Sequence, residues 1–350
     1  MKIGLVGFPG SGKTTVFNAL TGLAAETGYG ATRGRTNLGV VKVPDARVDA
    51  LSALFHPKKT TYAEIAFSDV AAAPAGTHTQ GLDPQTLAAM REMDALCQVV
   101  RGFVGPAGEP PAPLADVEAL EVEMNLADLI LIEKRLERLK KEKGRANEEA
   151  ALTKMKAQLD AGRPLRELSG LLEAEWSLVS GFRFLSQKPL LLVLNVPESK
   201  VTEPAPAALS EHARAHGLGL IVLSGKVEMD IGQMAPEEQL EFARSLGLDE
   251  PARGRFIRSA YALLDLISML TCGEDECRAW TIRRGTSALK AAGKIHSDIE
   301  RGFIRAEVMR LQDLTQLGSE ARCREAGKLR LEGKDYVVQD GDVVHFRFNV

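Results

Sequence analysis

Lys2-Ile3-Gly4-Leu5-Val6-Gly7-Phe8-Pro9-Gly10-Ser11-Gly12-Lys13-Thr14-Thr15 opens the chain, and its reading decides the fold. A short apolar run, Ile3 to Val6, enters the pattern Gly7-x-x-x-x-Gly12-Lys13-Thr14. The helix-like run Val16-Phe17-Asn18-Ala19-Leu20 leaves it. Strand, glycine-rich loop and helix in that order make a phosphate loop. The glycines let successive backbone N–H groups turn toward one anion, and the following helix points its positive end at the same place. Gly7, Gly10, Ser11, Gly12, Lys13, Thr14 and Thr15 are therefore the candidate phosphate-binding residues. Lys13 is expected to reach the β- and γ-phosphates, and the Thr14 hydroxyl to ligate Mg²⁺.

Working outward, Thr27 to Thr36 is rich in Gly, Thr and Arg and reads as a loop, with Thr32 and Thr36 the candidates for a second metal-side hydroxyl. Asp45 is placed to cap a helix over Ala46 to Phe55. Tyr62 to Asp69 alternates like a strand and ends in a carboxylate. Beside a phosphate loop, such an aspartate is placed for Mg²⁺ coordination, so Asp69 joins Thr14 and Thr32 as a candidate metal residue. Ala95 to Val100 and Pro189 to Leu194 are continuous apolar runs, the pattern of strands buried on both faces of a parallel sheet. The second runs into Asn195-Val196-Pro197-Glu198, and a strand over Leu218 to Leu223 ends in Ser224-Gly225-Lys226. Ligands of open α/β sheets bind beyond the carboxyl ends of the strands, where all these groups fall.

Between the apolar runs, Gly102 to Pro113 reads as a linker, and the chain then turns charged, Leu-rich and almost glycine-free to about Gly170. Val117, Leu120, Met124, Ala127 and Leu131 keep a 3-4-3-4 spacing, which predicts a helical hairpin or short coiled coil broken near Gly144. Its basic cluster, Lys134 to Lys143, reads mainly as a solvated face. The last stretch is strand-rich, and Gln339-Asp340-Gly341-Asp342 predicts a hairpin between Tyr336–Val338 and Val343–Phe348.

Bulk properties narrow the class. The length of 350 residues suggests two or three domains, and a net charge of −3 leaves only local basic patches for nucleic acid. Four dispersed cysteines, with one C-x-x-x-x-C pair, give no zinc set or disulfide framework. Met1 runs directly into a core strand, which reads as no signal peptide, and no apolar stretch approaches the ~20 residues of a membrane span. A reducing cytoplasm is the expected compartment.

Gly285-Thr286 and Ala291 to Glu307, with Gly293-Lys294-Ile295-His296-Ser297-Asp298 at their centre, resemble the C-terminal TGS domain of the YchF subfamily of Obg-type GTPases. Lys328 to Asp342, Asn37 to Asp45 and Leu246 to Pro251 are similar to the same family. The resemblance covers nearly the whole chain. It implies an α/β P-loop NTPase domain (residues 1–113 with 181–275), an inserted α-helical coiled-coil hairpin (114–180) and a β-grasp, α+β TGS domain (276–350). It also implies a monomer that binds and slowly hydrolyses ATP or GTP with Mg²⁺. Its implied partner is the ribosome, through the large subunit or rRNA, reached by the TGS and helical parts, with no membrane. Base binding is implied for Asn195, Val196, Glu198, Ser224, Gly225 and Lys226. The motif Asn195-x-x-Glu198 ends in Glu where most GTPases have Asp, which relaxes guanine selectivity. The sequence departs from the family after Asp69, where Ala72 replaces a γ-phosphate-sensing glycine, and before Asn37, where the loop is shorter. No catalytic residue is identified. The alternative reading is a hydrolysis-deficient nucleotide-binding module that uses its TGS domain for interaction.

Overall fold

The computed structural model describes residues 1–23, 25, 37–70, 82–142 and 144–349. In chain order these form β1 (Lys2–Val6), α1 (Lys13–Thr21), β2 (Asn37–Lys42), α2 (Ala46–Phe55), β3 (Lys59–Thr61), β4 (Glu64–Asp69), α3 (Pro84–Arg91) and β5 (Ala95–Arg101). The long α4 (Pro113–Leu139) and α5 (Ala146–Asp160) follow, then α6 (Glu173–Val179), β6 (Leu190–Asn195), α7 (Ala207–Ala215), β7 (Gly219–Leu223), α8 (Gly225–Gly232), α9 (Pro236–Ser245) and α10 (Ala252–Leu263). The chain ends in β8 (Leu266–Thr271), β9 (Glu276–Arg283), α11 (Ala288–Ile295), α12 (Ser297–Arg301), β10 (Phe303–Arg310), α13 (Leu311–Leu317), α14 (Glu320–Glu325), β11 (Arg330–Glu332) and β12 (Asp342–Phe348).

Two compact units result, Met1–Val40 with Ala66–Ser259, and Val41–Ile65 with Ala260–Val350. The first is built on a sheet of order β2-β4-β1-β5-β6-β7, in which β4, β1, β5, β6 and β7 run parallel. Every residue of β6 is buried, and six of seven in β5, because uninterrupted Leu and Val runs satisfy a strand covered on both faces. The registers Leu5↔Asp69, Val6↔Gln98, Arg101↔Asn195 and Asn195↔Leu223 bring the carboxyl ends of β1, β4, β6 and β7 to one rim.

The helical excursion is anchored rather than free. Asp128 of α4 is fully buried and accepts from Leu185 N (3.0 Å), Ser186 N (2.7 Å) and Ser186 Oγ (2.8 Å) just before β6. Burial pushes its carboxyl up against those bonds. Farther along α4, Arg135 spans Glu148 at 2.7 and 2.9 Å and Glu142 at 2.9 and 3.1 Å, which fastens α4 to α5. One member of the basic cluster is thus taken up internally.

In the second unit the sheet order is β11-β10-β12-β8-β9-β3. Its core is Ile267, Met269, Ile282, Val308, Val344 and Phe346 against the alanine face of α11. Phe303 packs on Phe346 with ring centroids 6.0 Å apart. Asp45 caps α2 as its sequence predicts, accepting from Arg47 N at 3.0 Å.

The predicted C-terminal hairpin is corrected. The Asp340-Gly341 turn exists, but Tyr336–Val338 forms no strand and makes one isolated bridge, Val337 to Ser287. The turn is tied to β8 instead: Ser268 N donates to Asp340 Oδ1 (2.9 Å) and Gly341 N donates to Ser268 O (2.8 Å). β12 is thereby laid between β10, antiparallel, and β8, parallel.

Candidate nucleotide site

The loop between β1 and α1 takes its shape from its glycines. Gly10 and Gly12 both sit at φ 81°, in the left-handed region that other residues resist. A Cβ on Gly12 would also run into Asn195 Nδ2, so backbone angle and space demand glycine together. α1 begins at Lys13 with no side-chain cap and no acidic residue in its first turn. Its first N–H groups therefore keep their partial positive charge for an anion.

Three charged or polar groups meet beneath the loop. Lys13 Nζ lies 2.9 Å from Asp69 Oδ1 and also donates to the Val70 carbonyl. Thr14 Oγ1 donates to Asp69 Oδ2 at 2.9 Å, and Asn37 Nδ2 reaches the same oxygen at 3.3 Å. Asp69 is fully buried and Lys13 nearly so. The Thr14 hydrogen is committed to Asp69, which leaves the hydroxyl lone pairs open to a cation. Hard oxygens from a hydroxyl and a carboxylate, side by side, are the donor set Mg²⁺ takes. Ser11 is buried, and its Oγ has no hydrogen-bond partner among the described residues.

Asn195 ends β6 and spans two loops. Its Nδ2 donates to Ser11 O (3.0 Å), and its Oδ1 accepts from Gly225 N (2.9 Å) at the start of α8. The two bonds fix the amide orientation, since a flip would set oxygen against oxygen. Val196 N donates to Leu223 O at 2.9 Å, which draws the β6 and β7 loops together. Gly225 permits close packing of α8 on α1: a Cβ there would lie 3.2 Å from Val16 Cγ2 and 3.3 Å from Thr15 Cγ2. Val196 and Ser224 are buried, whereas Glu198 and Lys226 are exposed.

The structure thus gathers Gly12, Lys13, Thr14, Asp69, Asn195 and Gly225 by direct contact, and Gly7 and Gly10 share their loop. Thr32, Thr36, Ala72 and Ala73 lie outside the described residues. Sequence reasoning missed Asn37, whose signal was its place at the head of a strand near the Asp69 strand. It also missed Phe103, whose Cζ lies 4.0 Å from the position a Cβ on Gly12 would take.

Residues 2–143 match the family model described as a 50S ribosome-binding GTPase. Residues 266–349 match the YchF-GTPase_C model, described as a protein of unknown function. The chain is 40% identical to the ribosome-binding ATPase YchF of Bacillus subtilis, over 100% of both chains. It is 38% identical to the protein of that name from Escherichia coli O157:H7, over 100% of this chain and 99% of the other. The solved structure of the Schizosaccharomyces pombe YchF GTPase superposes with a TM-score of 0.85 at 30% identity, covering 99% of this chain and 97% of that one.

Proposed function

This chain belongs to the YchF family of P-loop NTPases, and from that membership we propose that it binds Mg²⁺ with ATP or GTP, hydrolyses the nucleotide slowly, and associates with the ribosome. The observation that carries the nucleotide reading is the convergence of Lys13 and Thr14 on buried Asp69 beneath a left-handed glycine loop.

The roles follow from the chemistry. Backbone N–H groups from Gly10 to Thr15 hold phosphate oxygens. Lys13 exchanges Asp69 and the Val70 carbonyl for the β- and γ-phosphates. Thr14 and Asp69 hold Mg²⁺, which when bound neutralises developing charge on the phosphates. Val196, Glu198, Ser224 and Lys226 form the base end, with Asn195 bracing it against the phosphate loop. Glu198 reaches farther than an Asp would, so it does not enforce guanine. The ten residues after Asp69 hold no glutamine, and Ala72 stands at the sensing position, so water is poorly oriented and turnover is slow.

For the ribosome, the C-terminal unit acts as a TGS domain and supplies phosphate contacts, together with the helical pair. Arg284, Arg301, Arg305 and Lys328 already face Asp265, Asp298, Glu307 and Asp313. Arg283 and Lys294 are exposed, have no ion-pair partner among the described residues, and are two of the cations free for rRNA. The protein works as a cytoplasmic monomer.

A thermal-shift titration with ATP, GTP and hydrolysis-resistant analogues, with and without Mg²⁺, tests the first half. Stabilisation by both Mg²⁺-nucleotides is expected, and none with any nucleotide overturns the reading. Sedimentation with ribosomes at rising salt tests the second. Binding should fall steeply, because each neutralised phosphate releases counterions, and should fall further in Arg283→Glu/Lys294→Glu. Salt-independent binding, or none at low salt, would refute it.

A further inference from the structure

The β8–β9 hairpin pairs Leu270 with Ala279 and Thr271 with Arg278. β8 ends at Thr271, and continuing that register one step beyond it would set Cys272 opposite Cys277. Opposed residues of antiparallel strands present their side chains on the same face, with Cα atoms about 4.5–5.5 Å apart. That separation lies inside the ~4.4–6.8 Å a disulfide spans. Both thiols are free. Cys277 is fully buried in β9, whereas Cys272 is partly exposed at the rim. An accessible thiol thus stands over a protected one.

We propose that Cys272 and Cys277 form a reversible modification site, joined as an intramolecular disulfide by reaction with a low-molecular-weight disulfide such as oxidised glutathione. Cys272, as thiolate, attacks one sulfur of the glutathione disulfide. That S–S bond breaks, and one glutathione leaves as thiolate. Cys277 then loses its proton and attacks Cys272 Sγ, breaking the mixed disulfide and releasing the second glutathione. Two protein thiols lose two protons and two electrons, and the small disulfide gains them.

The surroundings set the pace. Glu320 Oε1 lies 4.0 Å from Cys272 Sγ, and Glu320 Oε2 lies 3.7 Å from His345 Nδ1. Burial first, and Glu320 second, push the Cys272 thiol up. Thiolate is therefore scarce at neutral pH, so the site reacts slowly and faster as pH rises. The bond would also fix the hairpin tip that holds β3. There Lys58 N donates to Glu274 O (3.0 Å), Lys59 N to Asp275 O (3.1 Å), and Thr60 pairs with Cys277.

The test treats the full-length, reduced protein with oxidised glutathione, blocks free thiols under denaturing conditions, and maps peptides by mass. The expected product lacks two hydrogens and keeps the two halves of the tip joined after cleavage at Glu274 or Glu276. Its rate of formation should rise about tenfold per pH unit while the medium stays below the thiol's pKa. Cys277→Ser should stop at a glutathione adduct on Cys272, and Cys272→Ser should give neither product. A stable adduct on the parent, a bond from Cys272 to Cys323, or oxidation only after unfolding would each overturn the assignment. If a serine variant does not fold, the parent's peptide map decides alone.

Discussion

Replacing Asn195 with alanine should weaken both the fold and the nucleotide site, by amounts the two hydrogen bonds set. The side chain is buried, and each end holds a backbone group: Ser11 O at 3.0 Å and Gly225 N at 2.9 Å. A buried polar group left without its partner costs about 1–3 kcal/mol, so the pair predicts a loss of about 2–4 kcal/mol after partial relaxation. Ser11 lies within the phosphate loop. If about 1.4 kcal/mol of that loss is expressed as loop disorder, nucleotide affinity falls about tenfold. Val193→Ala makes the control, because Val193 is fully buried in the same strand and its apolar side chain can hydrogen-bond to neither loop. It should lose about 2 kcal/mol through lost burial and a cavity, with affinity unchanged. Urea unfolding of both variants, paired with a fluorescent-nucleotide titration, reads both quantities. Equal stability loss with unchanged affinity in Asn195→Ala would break the link from brace to loop. Undiminished stability would show that the two bonds are not made.

Three further outcomes are expected. Lys13→Ala leaves Asp69 buried without its cation, so the ligand-free protein should lose about 3 kcal/mol. It should also lose the ~2.7 kcal/mol of stabilisation that nucleotide at a hundred times its dissociation constant gives the parent; a retained shift would displace Lys13 from the site. Intrinsic hydrolysis by the pure protein should be well below about one turnover per minute, by analogy with unassisted GTPases, and fast Mg²⁺-dependent basal turnover would contradict that. His212 is held below its ordinary value, by burial first and then by His216, with Arg166 adding to the effect and Glu118 and Glu167 opposing it. The unfolded chain therefore binds the extra proton first. Stability should be full above about pH 6.5 and decline as pH falls below it, and His212→Gln should flatten that part of a pH–stability profile.

What could be read from the sequence was local. The apolar runs of β5 and β6, the glycine spacing of the loop and the Asp45 cap each depend on neighbours within a few residues, so their patterns survive in one dimension. Asn195 was legible as a site residue but not as a brace, because its partner Ser11 is 184 positions away. The same distance problem hides β3, which pairs in parallel with β9 and so carries Val41–Ile65 into the second unit. At Asp340-Gly341 the local turn signal was right and the strand partner wrong. Ser268, far upstream, supplies the backbone bonds that choose where β12 goes.

The state of Lys13 has a consequence for how metal and nucleotide bind. Its ammonium neutralises Asp69, a carboxylate with no solvent exposure. A nucleotide that draws Lys13 onto its phosphates leaves Asp69 facing them, buried and without its cation, and Thr14 and Asn37 supply only neutral hydrogen bonds. An uncompensated buried charge costs several kcal/mol, so metal-free nucleotide should bind poorly. A divalent cation restores the balance, and its binding and the nucleotide's should be coupled by about 1–3 kcal/mol, reciprocally. Nucleotide affinity should therefore drop about tenfold or more when Mg²⁺ is chelated. Asp69→Asn removes the stranded charge and should bind metal-free nucleotide at least as well as the parent while losing most of the Mg²⁺ response. Calorimetric titrations of both proteins, with Mg²⁺ and with chelator, measure the coupling directly. A parent indifferent to Mg²⁺, or an Asp69→Asn variant with the full response, would mean that Lys13 does not leave Asp69 when nucleotide binds.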